Sequence, residues 1–173
     1  ARRFVDGSES AYRLGLVASR LGKIDVVGHG GSLAGYRNHM LMVPALGVGV
    51  VILTNREEEA LWPALRVLSR LVGQPLPSIA RPPQGLFVAD AGPFWAEITG
   101  DAISFMGGHE RLIDDGAGGF RSIPAYLDMH LDHVGDDEIG GTIGGVRRRL
   151  KRVPGGLKLE PALVGRWHDR TFG

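Results

Sequence analysis

One stretch, VVGHGGSLAGYRNHMLMVP at residues 26–44, sets an imidazole, His29, directly before two residues without side chains, Gly30 and Gly31, and a hydroxyl, Ser32. An imidazole can take up or hand on a proton near neutral pH. Bare backbone at the end of an apolar run lets a ligand's own main chain approach and pair with it, and a free N–H there can stabilise an oxyanion. Two competing readings use the same residues. A dinucleotide loop, G-x-G-x-x-G, fails because Leu33 stands where the last glycine belongs and no acidic ribose partner follows a second parallel strand. A nucleophile elbow, G-x-S-x-G, puts side-chain-less Gly30 at the nucleophile. Shifting the frame to GGSLA makes Ser32 the nucleophile but loses the closing glycine, and the helical spacing of Leu33, Tyr36 and Met40 leaves this alternative open.

Two other clusters carry less. DMHLDH offers His130 and His133 with Asp128 and Asp132, but alternation along a strand sends the two imidazoles to opposite faces, so no metal site is expected. In VRRRLKRV, the cations Arg147, Arg148, Arg149, Lys151 and Arg152 follow Asp132, Asp136, Asp137 and Glu138, with which they can pair across a hairpin, and no aromatic ladder accompanies them. Lys+Arg 20 against Asp+Glu 19 leaves a formal net charge of +1, so no global field recruits nucleic acid or an anionic membrane. The absence of cysteine excludes disulfides, thiolate catalysis and Cys-based metal centres, and it suits a reducing, cytoplasmic setting. No apolar run reaches the roughly 20 residues of a membrane span, and the first residues hold no signal-peptide core. The chain starts without methionine, and a fragment is expected.

The elements that must position His29 are mostly strands. AYRLGLVAS alternates with Tyr12, Leu14, Leu16 and Ala18 on one face, and a hairpin through Gly22-Lys23 leads into a second strand, which the glycines at 28–31 interrupt. A turn at Pro44–Gly47 separates two further strands, and the apolar Val48–Leu53 run predicts a central strand covered on both faces. In NREEEALWPALRVLSRLVG, Asn55 and Glu58 have capping-box spacing, Leu61, Ala64, Leu65, Leu68 and Val72 lie on one helical face, and Gly73 suits a C-terminal cap. Pro63 requires either a kink or a start near Trp62. Residues 74–84 are Pro-rich and aperiodic, as a linker should be. From Gly85 to about 158, LFVAD, FWAEITG, AISFMG, ERLIDD, AYLDMHLDH, EIGGTIG and VRRRLKRV read as short antiparallel strands of a barrel or sandwich.

Taken together, GHGGSLAGYRNHMLMVPALGVGVVILTN resembles the third active-site motif and following strands of the penicillin-recognising serine hydrolases, the class C β-lactamases, DD-peptidases and their esterase and D-aminopeptidase relatives. His29-Gly30-Gly31 stands at the K-T-G or H-x-G position, GVVILTN at 49–55 at the strand before the C-terminal helix, and the D-aminopeptidases share both H-G-G and appended β-barrels. The resemblance implies an α+β fold: residues 1–73 as the C-terminal part of a β-lactamase-like catalytic domain, 74–84 as linker, 85–158 as an antiparallel barrel and 159–173 as the start of a second barrel. The family's S-x-x-K is missing, since SRLGK has one residue too many between Ser19 and Lys23, and YRN at 36–38 lies on the strand after H-G-G rather than in a Y-x-N loop. The nucleophile is therefore expected before Ala1 or on another chain.

The resemblance implies hydrolysis through an acyl-serine that releases N-terminal D-amino acids from small peptides or amides, with no cofactor. His29 would act on a neighbouring tyrosine or the substrate, Gly30 and Gly31 would admit the substrate backbone, and the Ser32 N–H would form half of an oxyanion hole. A homodimer is compatible with this, whereas nucleic acid and membrane partners are not expected. The alternatives are a β-lactamase-like esterase or DD-peptidase, and a non-catalytic module whose barrel cups a small ligand.

Overall fold

The computed structural model describes residues 3–106 and 108–155; the expected opening of a second barrel at 159–173 lies outside them. The first half is an antiparallel sheet of β1 (Tyr12–Arg13), β2 (Leu16–Leu21), β3 (Ile24–Leu33), β4 (Tyr36–Val43) and β5 (Val48–Thr54), in that order across the sheet. One helix, α1 (Leu61–Val72), lies on one face. The second half is a closed antiparallel barrel of β6 (Gly85–Ala89), β7 (Trp95–Thr99), β8 (Ala102–Phe105), β9 (Gly108–Asp114), β10 (Phe120–Ile123), β11 (Met129–Gly135), β12 (Glu138–Ile143) and β13 (Val146–Arg152).

Several expectations are corrected by this arrangement. AYRLGLVAS is not one strand: Leu14 (φ 50°) and Gly15 (φ 80°) turn the chain between β1 and β2, and the buried residues of β2 are Val17 and Leu21, not the face of Leu16 and Ala18. The glycines do not interrupt β3, which runs through Leu33 because β4 pairs with it from Val27↔Met42 to Leu33↔Tyr36. β5 is an edge strand whose outer face is bare, with Val51 63% and Leu53 77% exposed. The helix begins at Leu61, so Pro63 falls in its first turn, where a missing N–H costs no helical bond. Asn55 therefore caps nothing; the Trp62 N–H donates instead to Glu59 Oε1 at 2.8 Å. Gly73 closes the helix in the left-handed conformation at φ 64°, as its position required.

The buried face of α1, Leu61, Ala64, Leu65 and Leu68, packs on Leu21, Val26, Leu41, Val43 and Val50, and the barrel residues Ile113 and Ile123 join that cluster. The sheet and barrel thus share apolar contact. Residues 78–80 run along β9: the Ala80 N–H donates to Leu112 O (3.2 Å) and the Asp114 N–H to Ser78 O (2.9 Å). Barrel and sandwich are distinguished by β10, an FRSI segment too short to stand out in the sequence, which pairs with both β9 and β11 and closes the ring. Phe87, Ile98, Ile103, Phe120, Leu131 and Leu150 fill the interior. Among the described residues this lumen is a packed core.

Candidate active site

β3 carries His29, Gly30, Gly31 and Ser32 consecutively, and the pleat divides them. Val26, Gly28 and Gly30 face α1 and the barrel, whereas Val27 and His29 face the other side, where Met42, Val51 and Leu53 are also exposed. The His29 Nε2 lies 3.1 Å from the Tyr12 hydroxyl. The two rings meet edge-on at 5.8 Å between centroids, and Tyr126 of the barrel meets His29 edge-on at 5.6 Å. His29 is thus held between a tyrosine of β1 and one from the loop joining β10 to β11.

Glycine at 28 and 30 follows from crowding. A Cβ on Gly28 would sit 2.4 Å from Met40 O, and one on Gly30 would sit 2.7 Å from His39 Nδ1 and 3.0 Å from the Tyr126 hydroxyl. His39, paired opposite Gly30 on β4, is 5% exposed, and burial, helped by the nearby His29, holds its pKa down to about 4. It is a neutral imidazole at physiological pH.

β3 pairs with β2 only as far as Gly28↔Val17. Beyond that point no strand pairs with the edge turned away from β4 among the described residues. The Gly30 N–H on that edge donates to the Tyr126 hydroxyl at 2.6 Å. Since N–H direction alternates along a strand, the Ser32 N–H, two residues on, points to the same edge. Ser32 itself pairs opposite Arg37 within an antiparallel ladder and is exposed, so no strand-to-helix elbow surrounds it.

Beside this edge a cavity of ≈ 490 Å³ opens between sheet and barrel, lined by Gly30, Gly31, Ser32, His39, Glu110 and Tyr126, with Arg37, Glu57 and the start of α1 at its rim. That size suits a small-molecule ligand. Glu110 on β9 is 5% exposed; its Oε1 accepts the Leu127 N–H at 2.8 Å. Burial pushes its carboxyl up to about 7, against the pull of the Ser122 hydroxyl and the loop N–H groups. Arg37 is paired with Glu57. The four sequence-identified residues are together in space: Gly30, Gly31 and Ser32 line the pocket, and the His29 ring lies 5.6 Å from that of Tyr126, which also lines it. Tyr12, His39, Glu110 and Tyr126 were not singled out by sequence; Tyr126 sits 96 residues from Gly30, and no local pattern marks it.

His130 lies 3.4 Å from Asp128 and the His133 ring meets Phe120 edge-on, while Arg149 pairs with Glu138 and Arg152 with Asp137 across the hairpin side. Among the described residues no helix is long and apolar enough to cross a membrane.

A stretch of 72 residues, 42% of the chain, is 33% identical to a D-aminopeptidase of Gluconobacter oxydans (strain 621H) and covers 14% of that relative. The resemblance to a penicillin-recognising serine hydrolase family stands. Among solved structures, the octameric penicillin-binding protein homologue from Pyrococcus abyssi is similar at 20% identity and a TM-score of 0.39, over 80% of this chain and 36% of that one. SurE with D-Leu is similar at 20% identity and a TM-score of 0.32, over 81% and 38%. No family model matches the chain. The chain therefore spans a minor part of each of these relatives.

Proposed function

We propose that this chain forms part of a serine hydrolase that works through an acyl-serine and releases N-terminal D-amino acids from small peptides or amides. Residues 1–73 would be the C-terminal part of its β-lactamase-like catalytic domain, 74–84 the linker and 85–158 a barrel that walls the cleft. The single observation that carries this reading is the β3 edge: main chain at Gly31–Ser32 beside a cavity, beyond the Gly30 N–H that Tyr126 occupies, with an imidazole bonded to a tyrosine hydroxyl at its start. The similarity to the Gluconobacter D-aminopeptidase supports the substrate class.

In this reading a substrate carbonyl rests against the Ser32 N–H, one of two oxyanion donors, the other supplied by the nucleophile's own backbone; loss of such a donor typically costs about 10²–10³ in turnover. Gly31 keeps the approach free of side chain. His29, bonded to Tyr12, positions that phenol beside the acylated serine, and an imidazole, unlike a lysine, is not a fixed positive charge, which suits a substrate with a free amino end over one with a carboxylate. The serine comes from polypeptide outside the described residues. Its seat is the outer sheet face, where exposed Met42, Val51 and Leu53 share a side with His29. A second copy of the chain is the other possible source, which would make the enzyme a dimer.

The test uses the full-length protein with D-alaninamide, L-alaninamide and a phosphonate serine probe. Hydrolysis of the D-amide, labelling of one serine, and a fall in kcat of tenfold or more in folded His29→Ala are expected. Absence of labelling and turnover overturns the reading; turnover of N-acetylated esters alone would instead select the esterase relatives.

A further inference from the structure

Resting on the reading of β3 as the edge that binds substrate, we propose that Tyr126 fixes how far a substrate can extend along β3, restricting it to one pairing register, at Ser32, and so confining the enzyme to small amides and very short peptides.

A peptide laid antiparallel along the free edge of β3 would use outward N–H groups at every second residue, about 7 Å apart. Those groups belong to Ser32 and Gly30. The second is already used, because the Tyr126 hydroxyl accepts the Gly30 N–H at 2.6 Å, where the next carbonyl oxygen of an extended ligand would go. An incoming chain therefore finds one register open and the following one filled by the protein itself.

The phenol is fixed there by the surrounding structure. Its ring meets His29 at 5.6 Å and Tyr12 at 6.2 Å between centroids. Its loop is tied down on three sides: the Leu127 N–H to Glu110 (2.8 Å), the Ala11 N–H to Asp128 Oδ2 (3.1 Å) and the Gly144 N–H to Leu127 O (3.0 Å). Displacing Tyr126 means breaking a loop docked against both halves of the molecule. Burial also keeps the phenol protonated. The group that stops the ligand is thus neutral and can donate to the oxygen of a ligand that ends there.

The experiment compares the full-length protein with Tyr126→Phe, which frees the Gly30 N–H and keeps the ring, and Tyr126→Ala, which removes both. Amide hydrogen exchange at Gly30 should accelerate at least tenfold in each, showing the bond broken in a folded protein. The ratio of kcat/KM for D-alanyl-trialanine to that for D-alaninamide should rise at least fivefold in Tyr126→Ala, through KM, and at least twofold in Tyr126→Phe. Faster exchange with an unchanged or lower ratio overturns the proposal while leaving the hydrolase reading intact. If the parent hydrolyses neither compound, that reading fails, and the same two compounds are titrated as ligands by amide NMR. The tetrapeptide should then shift the Gly30 and Ser32 signals in Tyr126→Ala but only Ser32 in the parent, and identical patterns overturn the proposal. Should Tyr126→Ala not fold, Tyr126→Phe decides by the same readouts.

Discussion

Two buried titratable side chains line the same cavity and are perturbed in opposite senses. His39, held down to about 4 from 6.5, refuses a proton that the unfolded chain takes up below 6.5, so its contribution to stability is lost as pH falls from 6.5 through 4. Glu110, pushed up to about 7 from 4.5, keeps a proton that the unfolded chain releases, so its contribution is present below 4.5 and lost as pH rises through 7. Between pH 4.5 and 6.5 the two slopes oppose each other. Glu110→Gln removes one of them, and its stability relative to the parent should rise by up to about 1.4 kcal/mol per pH unit across that window; urea midpoints at pH 5 and 6.5 check this, and a constant offset would refute it. Gly30→Ala, whose Cβ would press on His39 and the Tyr126 hydroxyl, should lose about 1–3 kcal/mol by the same measurement. His29, Gly30, Gly31 and Ser32 were legible because they are contiguous and their glycines advertise close approach. Tyr12, Glu110 and Tyr126 were not, since a tyrosine that meets a distant N–H looks in sequence like any tyrosine in a loop.

At the scale of elements, the start of α1 shows where local pattern and packing diverge. Asn55 and Glu58 match a capping box in spacing, yet the chain enters the helix only at Leu61, and Glu59 takes the capping role. Glu59→Ala should therefore cost about 1 kcal/mol, and Asn55→Ala less than about 0.5 kcal/mol, in chemical denaturation; the reverse order would restore the sequence-based start. The apolar face and the terminal glycine were readable because helical periodicity and a left-handed cap are properties of single residues. β5 departs from its sequence pattern for a physical reason. An unbroken apolar run suits burial on both faces, but β5 lies at the edge of the sheet, and Val51 and Leu53 have no cover among the described residues. β10 leaves no mark in the sequence because four residues are too few to show alternation.

For the whole molecule, the bare face of Met42, Val51 and Leu53 separates two states of the protein. Replacing Val51 and Leu53 together by lysine should change the stability of residues 1–173 by less than about 1 kcal/mol, since exposed sites tolerate charge. In the full-length protein the same pair should lower the melting temperature and abolish serine labelling if, as the proposed function requires, the polypeptide bearing the nucleophile closes that face. Equal behaviour in both settings would mean that nothing packs on this face.

The barrel closes between its first and last strands: β6 lies beside β13, the Val153 N–H donates to Leu86 O, and Arg152 Nη1 meets Gln84 O. The polypeptide consequently goes in and comes out at one seam. A module stitched in this way can be gained, duplicated or dropped by a single crossover without rethreading any neighbouring strand.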